Sequence, residues 1–223
     1  MENEVIMITH QLIERILSQY QLPINGIHGI SHWARVLENG RLLARDLDIN
    51  KDIIELFAVF HDSKRVNDMR DKNHGERGAQ FAHELRGQFF DLSDDDFSLL
   101  KTACCGHTDQ SSSKDLTIQI CWDADRLDLG RAFIKPDPKL LCIETAKNHE
   151  IIKWAYKRSL MRHVPGFVKK QWGYDIQSHY PKLNYVTTLG MTYLLNSSHT
   201  VIKKMIIRCW MQLKSIPNSK SFK

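Results

Sequence analysis

The chain has 223 residues, of which 42% are hydrophobic and 26% charged, the size and composition of one soluble globular domain able to bury a core. A formal charge of +5 suits a protein that handles phosphate esters but does not by itself argue for nucleic acid. No apolar run reaches the length of a membrane span, and Met1-Glu2-Asn3-Glu4 lacks the basic start of a signal peptide. The five cysteines (Cys104, Cys105, Cys121, Cys142, Cys209) form no Cys-x-x-Cys pair, so the expectation is a cytoplasmic protein with reduced, buried thiols.

In chain order, residues 4–20 place Val5, Ile8, Leu12, Ile16 and Tyr20 at helical spacing. Pro23, Asn25 and Gly26 interrupt the chain. Ser31 is the candidate cap of a second helix, with Trp33, Val36, Leu37, Leu43 and Leu47 on one side and His32 in the first turn. Asp48 and Asn50 supply the next cap. Residues 53–60 are apolar apart from Glu55, and periodicity does not decide between a buried helix and a buried strand. The polar residues 63–73 read as a loop. Residues 74–85 are a helix candidate in which Ala79 and Ala82 permit close packing. Asp91-Leu92-Ser93-Asp94 opens another, with Phe97, Leu100 and Cys104 at helical spacing, ending near Gly106-His107. Residues 108–115 are expected to be exposed, 116–129 helical, and Lys135-Pro136-Asp137-Pro138 a turn. Residues 142–161 read as one helix, before a break at Pro165-Gly166. A first domain at residues 1–173 and a partly helical extension at 174–223 are expected. Within the extension, residues 201–213 are a basic amphipathic candidate, with Ile202, Ile206, Cys209 and Leu213 on one face and Lys203, Lys204 and Arg208 off it. No recurrent β-alternation occurs, so the fold class expected is all-α.

The chemistry-bearing residues are spread over the first two thirds of the chain. His61-Asp62 ends the apolar run, and an imidazole beside a carboxylate suits a divalent transition metal. Two adjacent residues do not complete a coordination shell. Further donors lie upstream, at His32 in His32-Trp33-Ala34-Arg35-Val36, and downstream, at His74 in His74-Gly75-Glu76, His107 in Gly106-His107-Thr108, and Asp125 in Asp123-Ala124-Asp125-Arg126-Leu127-Asp128. This ordered set (His, His-Asp, His, His, Asp) resembles the HD superfamily of metal-dependent phosphohydrolases, over residues 25–135. The resemblance implies an HD-domain helical bundle with residues 53–60 as a central helix and additional C-terminal helices. It also implies that His32, His61, Asp62 and Asp125 hold a first metal ion, and that Asp62 bridges to a second held with His74 and His107. The family's Ala-Asp-Arg-Leu pattern falls on residues 124–127, which selects Asp125 as ligand over Asp123 and Asp128. Asp128, one helical turn on, is given the role of orienting a ligand or the attacking water, and Asp123 a structural one. The alternative for His74 and His107 is contact with substrate phosphate beside a single ion.

The resemblance further implies one or two divalent transition-metal ions. A nitrogen-rich donor set favours iron, manganese, cobalt or zinc over magnesium. Such ions acidify bound water for in-line attack on phosphorus. Lys64 and Arg65 are the candidates to hold the remaining phosphate oxygens, with Arg35 and Arg126 behind them, although each reads equally as a surface charge. His28 is a candidate proton donor to the leaving group. The function expected is hydrolysis of a nucleotide or another small phosphate ester. No Gly-Tyr-Pro loop of the cyclic di-GMP phosphodiesterases follows the His-Asp pair. Two other classes stand beside this one. A catalytically silent metal- or nucleotide-binding module is opposed by the intact donor set. A nucleic-acid binder or nuclease is permitted by Lys203, Lys204, Arg208 and Lys214, but no contiguous basic stripe supports it. Oligomeric state is not legible. His10, His83, His149, His163, His179 and His199 read as surface or core residues.

Overall fold

Residues 7–176 are described by a computed structural model, and they are helical. Five of the helices begin where a short polar side chain takes an otherwise unbonded N–H. Thr9 Oγ1 accepts from Leu12 N at 3.2 Å to start α1 (His10–Leu17). Asn50 Oδ1 accepts from Asp52 N at 3.0 Å to start α3 (Lys51–Phe60). Ser93 does the same for α5 (Asp94–Gly106), whose first turn carries three aspartates that suit the positive end of the helix dipole. Asp115 caps α6 (Leu116–Arg126), and Asn148 caps α8 (His149–Leu160). The others are α2 (Ile30–Leu43), α4 (His74–Leu85), and the short α7 (Glu144–Lys147) and α9 (Phe167–Lys170). Two 3₁₀ turns, Leu129–Ala132 and Pro138–Leu140, follow α6. Among the described residues the β pairing is a single bridge, Arg86 to Phe90, and the fold class is all-α.

The apolar run lies in α3, a helix at the centre of the bundle. Ile53, Ile54, Leu56, Phe57, Ala58, Val59 and Phe60 are all buried, against α2, α4, α5 and α6. Each buried Leu, Ile or Phe of this kind contributes about 1.5–3 kcal/mol relative to exposure. Only Glu55 interrupts the buried run, pairing with Arg41 at the surface, and one polar position in eight is too few to show a period, which is why spacing alone left it open to a strand reading.

Close backbone contact draws α4 onto its neighbours. A Cβ added at Gly78 would lie 2.2 Å from Phe60 O, and one added at Gly75 would lie 2.0 Å from Cys104 O. Only glycine admits α3 and α5 this near. The first residue of α4, His74, is thereby carried against both.

Several expected boundaries move. The second helix is entered from Gly29 rather than capped by Ser31, and a Cβ at Gly29 would meet Ile24 O at 2.0 Å. Residues 142–161 divide at Asn148, whose extended backbone ends α7 and whose side chain starts α8. The last acidic helix stops at Arg126, so Asp128 sits in the turn beyond it. Cys104 and Cys121 are buried, but Cys105 is exposed, against expectation: it lies on the outer face of α5. Cys209 and the expected helix at residues 201–213 lie outside the described residues. No helix among the described residues is long and apolar enough to cross a membrane.

Candidate metal centre

Five helices deliver the six residues singled out by the sequence. His32 stands in the first turn of α2, and His61 and Asp62 in the turn that ends α3. His74 opens α4, His107 closes α5, and Asp125 lies in the last turn of α6. All six are buried. Helix ends converge because loops there let side chains from facing elements point into one cavity.

The hydrogen-bond partners fix how the four imidazoles face. His61 Nδ1 donates to Phe57 O at 3.0 Å, His74 Nδ1 to Asp71 O at 2.6 Å, and His107 Nδ1 to Cys104 O at 2.7 Å. A carbonyl oxygen only accepts, so each Nδ1 carries the hydrogen and each Nε2 of a neutral ring is a bare lone pair. His32 Nδ1 is held in the same sense by the Asp128 carboxylate at 2.7 Å. All four Nε2 atoms point inward. His32 and His61 present theirs to each other at 3.1 Å, and His74 and His107 at 2.9 Å.

Two carboxylates close the arrangement. Asp62 Oδ2 lies 3.5 Å from His32 Nε2 and 3.6 Å from His61 Nε2. Its other oxygen, Oδ1, lies 3.2 Å from His74 Nε2 and 3.6 Å from His107 Nε2. Asp125 Oδ1 is 3.5 Å from His32 Nε2 and 3.8 Å from His61 Nε2. That oxygen is buried and accepts no hydrogen bond, although Arg131 Nη2 comes within 3.2 Å. The donors form triads within 4.8 Å of one another: His32, His61 and Asp62, then Asp62, His74 and His107, with His61, His107 and Asp125 joining them. Facing lone pairs with anionic oxygens between them repel unless a cation lies among them. The residues present therefore fit divalent ions, with Asp62 offering one oxygen to each half.

The charges behave accordingly. Burial lowers the His61 pKa to about 3, so its Nε2 stays unprotonated. Burial alone would raise the Asp62 carboxyl, but His61, Arg65 and His28 outweigh it and hold the group well below the usual range. His107 moves the other way from His61: burial lowers it, yet the bond to Asp62 more than compensates, and its pKa rises. A proton on His107 would supply the positive charge that the cluster otherwise takes from an ion.

A surrounding layer holds these groups in place. Asp128 receives Arg35 Nε at 2.6 Å and Nη2 at 3.0 Å, and its backbone carbonyl accepts from Ser159 Oγ at 2.6 Å. Burial raises its carboxyl, but Arg35 and His32 bring it well below the ordinary carboxylate range. Asp128 is thus a charged buried anchor for His32. Asp123, one of its rivals in the sequence, turns away and accepts the N–H groups of Cys142 and Ile143 at 2.8–2.9 Å.

The four basic residues proposed for phosphate fare differently. Arg65 Nη1 lies 3.1 Å from Asp62 Oδ1 and 3.0 Å from His74 Nε2, so it is inside the cluster. Lys64 is not brought there. Its Nζ donates to Gln19 Oε1 at 2.5 Å and sits 4.2 Å above the Phe81 ring. The helical turn continues through this stretch, with Arg65 N bonding Asp62 O at 3.3 Å. Position i+3 shares a face with Asp62 and i+2 does not. Arg35 is taken up by Asp128, and Arg126 straps loops together through the carbonyls of Gln110 and Leu140. Sequence reasoning missed Arg131, which faces Asp125, and Asp68, which bonds His28 Nδ1 at 2.9 Å. It also missed Asp71, whose carboxylate ties Val66 N and Arg77 together beneath His74. The polar composition of residues 63–73 was the available signal for the last two.

Comparison with known proteins agrees on the region. The family model described as HD domain matches residues 29–130. No curated protein matches. Among solved structures, the chain is similar to a crystal structure of a predicted HD superfamily hydrolase from an uncultured Thermotogales bacterium. The two are 26% identical, the similarity covers 68% of this chain and 84% of that one, and the TM-score is 0.49. The His-Asp pair, its partners and Asp125 all lie inside the span, residues 29–130, that matches the HD domain model.

Proposed function

We propose that the protein is a metal-dependent phosphohydrolase that acts on a nucleotide or another small phosphate ester. One observation carries this reading: four buried imidazoles, each with its Nδ1 hydrogen committed outward, turn their Nε2 atoms onto two buried carboxylates. His32, His61, Asp62 and Asp125 would hold one ion, and Asp62, His74 and His107 a second. Bound divalent ions supply an acidified water and neutralise charge on phosphoryl oxygens. Imidazole-rich ligation favours iron, manganese, cobalt or zinc over magnesium.

The chain's own groups do the rest. Asp128 keeps the His32 ring in the tautomer and orientation that presents Nε2 inward, and Arg35 keeps Asp128 ionised. Arg131, beside Asp125, brings positive charge to the edge of the donor set. Arg65 does so on the Asp62 and His74 side. His28, buried and bonded to Asp68, stands edge-on to His32 with ring centroids 6.3 Å apart and can present a polar group to a leaving oxygen.

A second reading of the nuclearity rests on Arg65. Its guanidinium already contacts both Asp62 Oδ1 and His74 Nε2, and in that reading it replaces the second ion while His107 contacts substrate. Metal analysis of His74→Ala and His107→Ala separates the two: each loses about one ion of two in the first reading and none in the second. For the activity, phosphate release from a panel of nucleotides and simple phosphate monoesters is measured with added Mn²⁺, Fe²⁺, Co²⁺ or Mg²⁺. Metal-dependent turnover supports the proposal. Stoichiometric metal without turnover of any ester would identify a silent binding module instead.

A further inference from the structure

Arg131 is the residue immediately after the matched span. Sequence spacing gives it no role, but the fold gives it a fixed place. Its N–H bonds Asp128 O at 3.1 Å, in the 3₁₀ turn Leu129–Ala132, and Ser159 of α8 donates to that same carbonyl at 2.6 Å. With the turn clamped in this way, the side chain runs back to the donor set, and Nη2 ends 3.2 Å from Asp125 Oδ1.

Exposure shows where the donor set meets solvent. The side chains of His32 and His61 are 0% exposed, Asp62 1%, and His74 and His107 4%. Asp125 is the most open of the six at 12%, and Arg131 beside it is 9% exposed. A ligand therefore approaches the cluster past this pair. Arg65 is open to a similar degree, but its guanidinium is tied to Asn67 O, Met69 O and Asp62 Oδ1.

Asp125 Oδ1 is also one of the oxygens that would hold a divalent ion, 3.5 Å from His32 Nε2 and 3.8 Å from His61 Nε2. Arginine keeps its charge at any working pH. A guanidinium 3.2 Å from a ligating oxygen is repelled by the cation which that oxygen holds. The arrangement becomes favourable when an anion lies against both. A phosphoryl group is such an anion, and the planar N–H fork of arginine matches two of its oxygens.

We propose that Arg131 donates to a phosphoryl oxygen of the ester bound beside Asp125, which makes Arg131 a catalytic residue supplied from just beyond the matched span. The inference rests on the phosphohydrolase reading of the site.

Arg131→Met keeps most of the stem and removes the charge and the donors. For the full-length wild type and variant, Mn²⁺ affinity is measured by equilibrium dialysis, and the Mn²⁺-loaded proteins are titrated calorimetrically with orthophosphate. The two expected changes have opposite signs. Mn²⁺ affinity is unchanged or higher in Arg131→Met, because a competing cation has gone from Asp125. Orthophosphate affinity falls about tenfold or more, the loss typical of a hydrogen bond to a charged group. Arg131→Lys keeps the charge beside Asp125 but loses the planar fork, and its orthophosphate affinity is expected to fall between the two. Wild-type orthophosphate affinity in either variant would overturn the role of Arg131, leaving it a counter-ion of Asp125 and the phosphohydrolase reading intact. Weaker Mn²⁺ binding by Arg131→Met would overturn it too, by showing a residue that shapes the donor set. A wild type that binds no orthophosphate in the presence of Mn²⁺ would remove the phosphohydrolase reading and this inference with it.

Discussion

At the scale of single residues, three aspartates within six positions do three different things. Asp125 faces the imidazoles, Asp128 holds His32 and Arg35, and Asp123 ties down the chain at Cys142 and Ile143. Asp128→Asn breaks a buried ion pair and leaves Arg35 uncompensated, so it should destabilise the protein by about 3 kcal/mol in denaturant titration. The same change should lower metal affinity by about 10–100-fold, since it loosens the ring that presents Nε2. Asp123→Ala should lose about 1–3 kcal/mol from orphaned N–H groups yet keep its metal content. Asp62→Ala should lose metal and activity together, whereas the exposed His83, its ring tilted against Phe97, should tolerate alanine in both assays. The ligand candidates were legible because residue type and order carry them. Lys64 was misread because the turn after Phe60 continues helically, and the face of a side chain in a polar stretch is set by backbone that composition does not reveal. Arg131 left no signal of its own, and Asp68 left only the polar composition of its loop, since its partner His28 is distant in sequence.

At the scale of elements, α4 is placed by two glycines and entered through a strained residue. Gly78→Ala would put a methyl 2.2 Å from Phe60 O. It should lower stability by about 1–3 kcal/mol, the usual consequence of overpacking, and reduce metal content by moving His74. Asn73, the residue before His74, takes a left-handed backbone with φ 61°, as does Arg162 at the end of α8 with φ 47°. Arg162 N bonds Ser159 O and His163 N bonds Arg158 O, the pattern of a helix end where glycine is preferred. Arg162→Gly should therefore raise stability by about 1 kcal/mol, read from the thermal midpoint. Caps made by side chains, at Asn50, Ser93 and Asp115, could be read from the sequence. The entry at Gly29 could not, because it depends on the close approach of Ile24. The division at Asn148 was hidden because asparagine in a long polar-apolar pattern reads as an ordinary surface position.

At the scale of the whole molecule, the donor set joins five helices, so a cation bound there would couple to folding. An ion that binds only the folded chain stabilises it by about 2.7 kcal/mol at a hundredfold excess over its dissociation constant. For a domain of this size, chelation should then lower the thermal midpoint by about 5–10 °C, and added Mn²⁺ or Co²⁺ should restore it. The helical class was legible in the absence of strand alternation and in the repeated apolar spacing, and the ordered histidines pointed to the centre before any distance was known. The most direct test is elemental analysis of the purified protein after growth with supplied metal, alongside Asp62→Ala. The arrangement predicts about two transition-metal ions per chain in the wild type and close to none in the variant. A wild type without stoichiometric metal at saturating supply, or an Asp62→Ala protein that keeps the wild-type content, would contradict it.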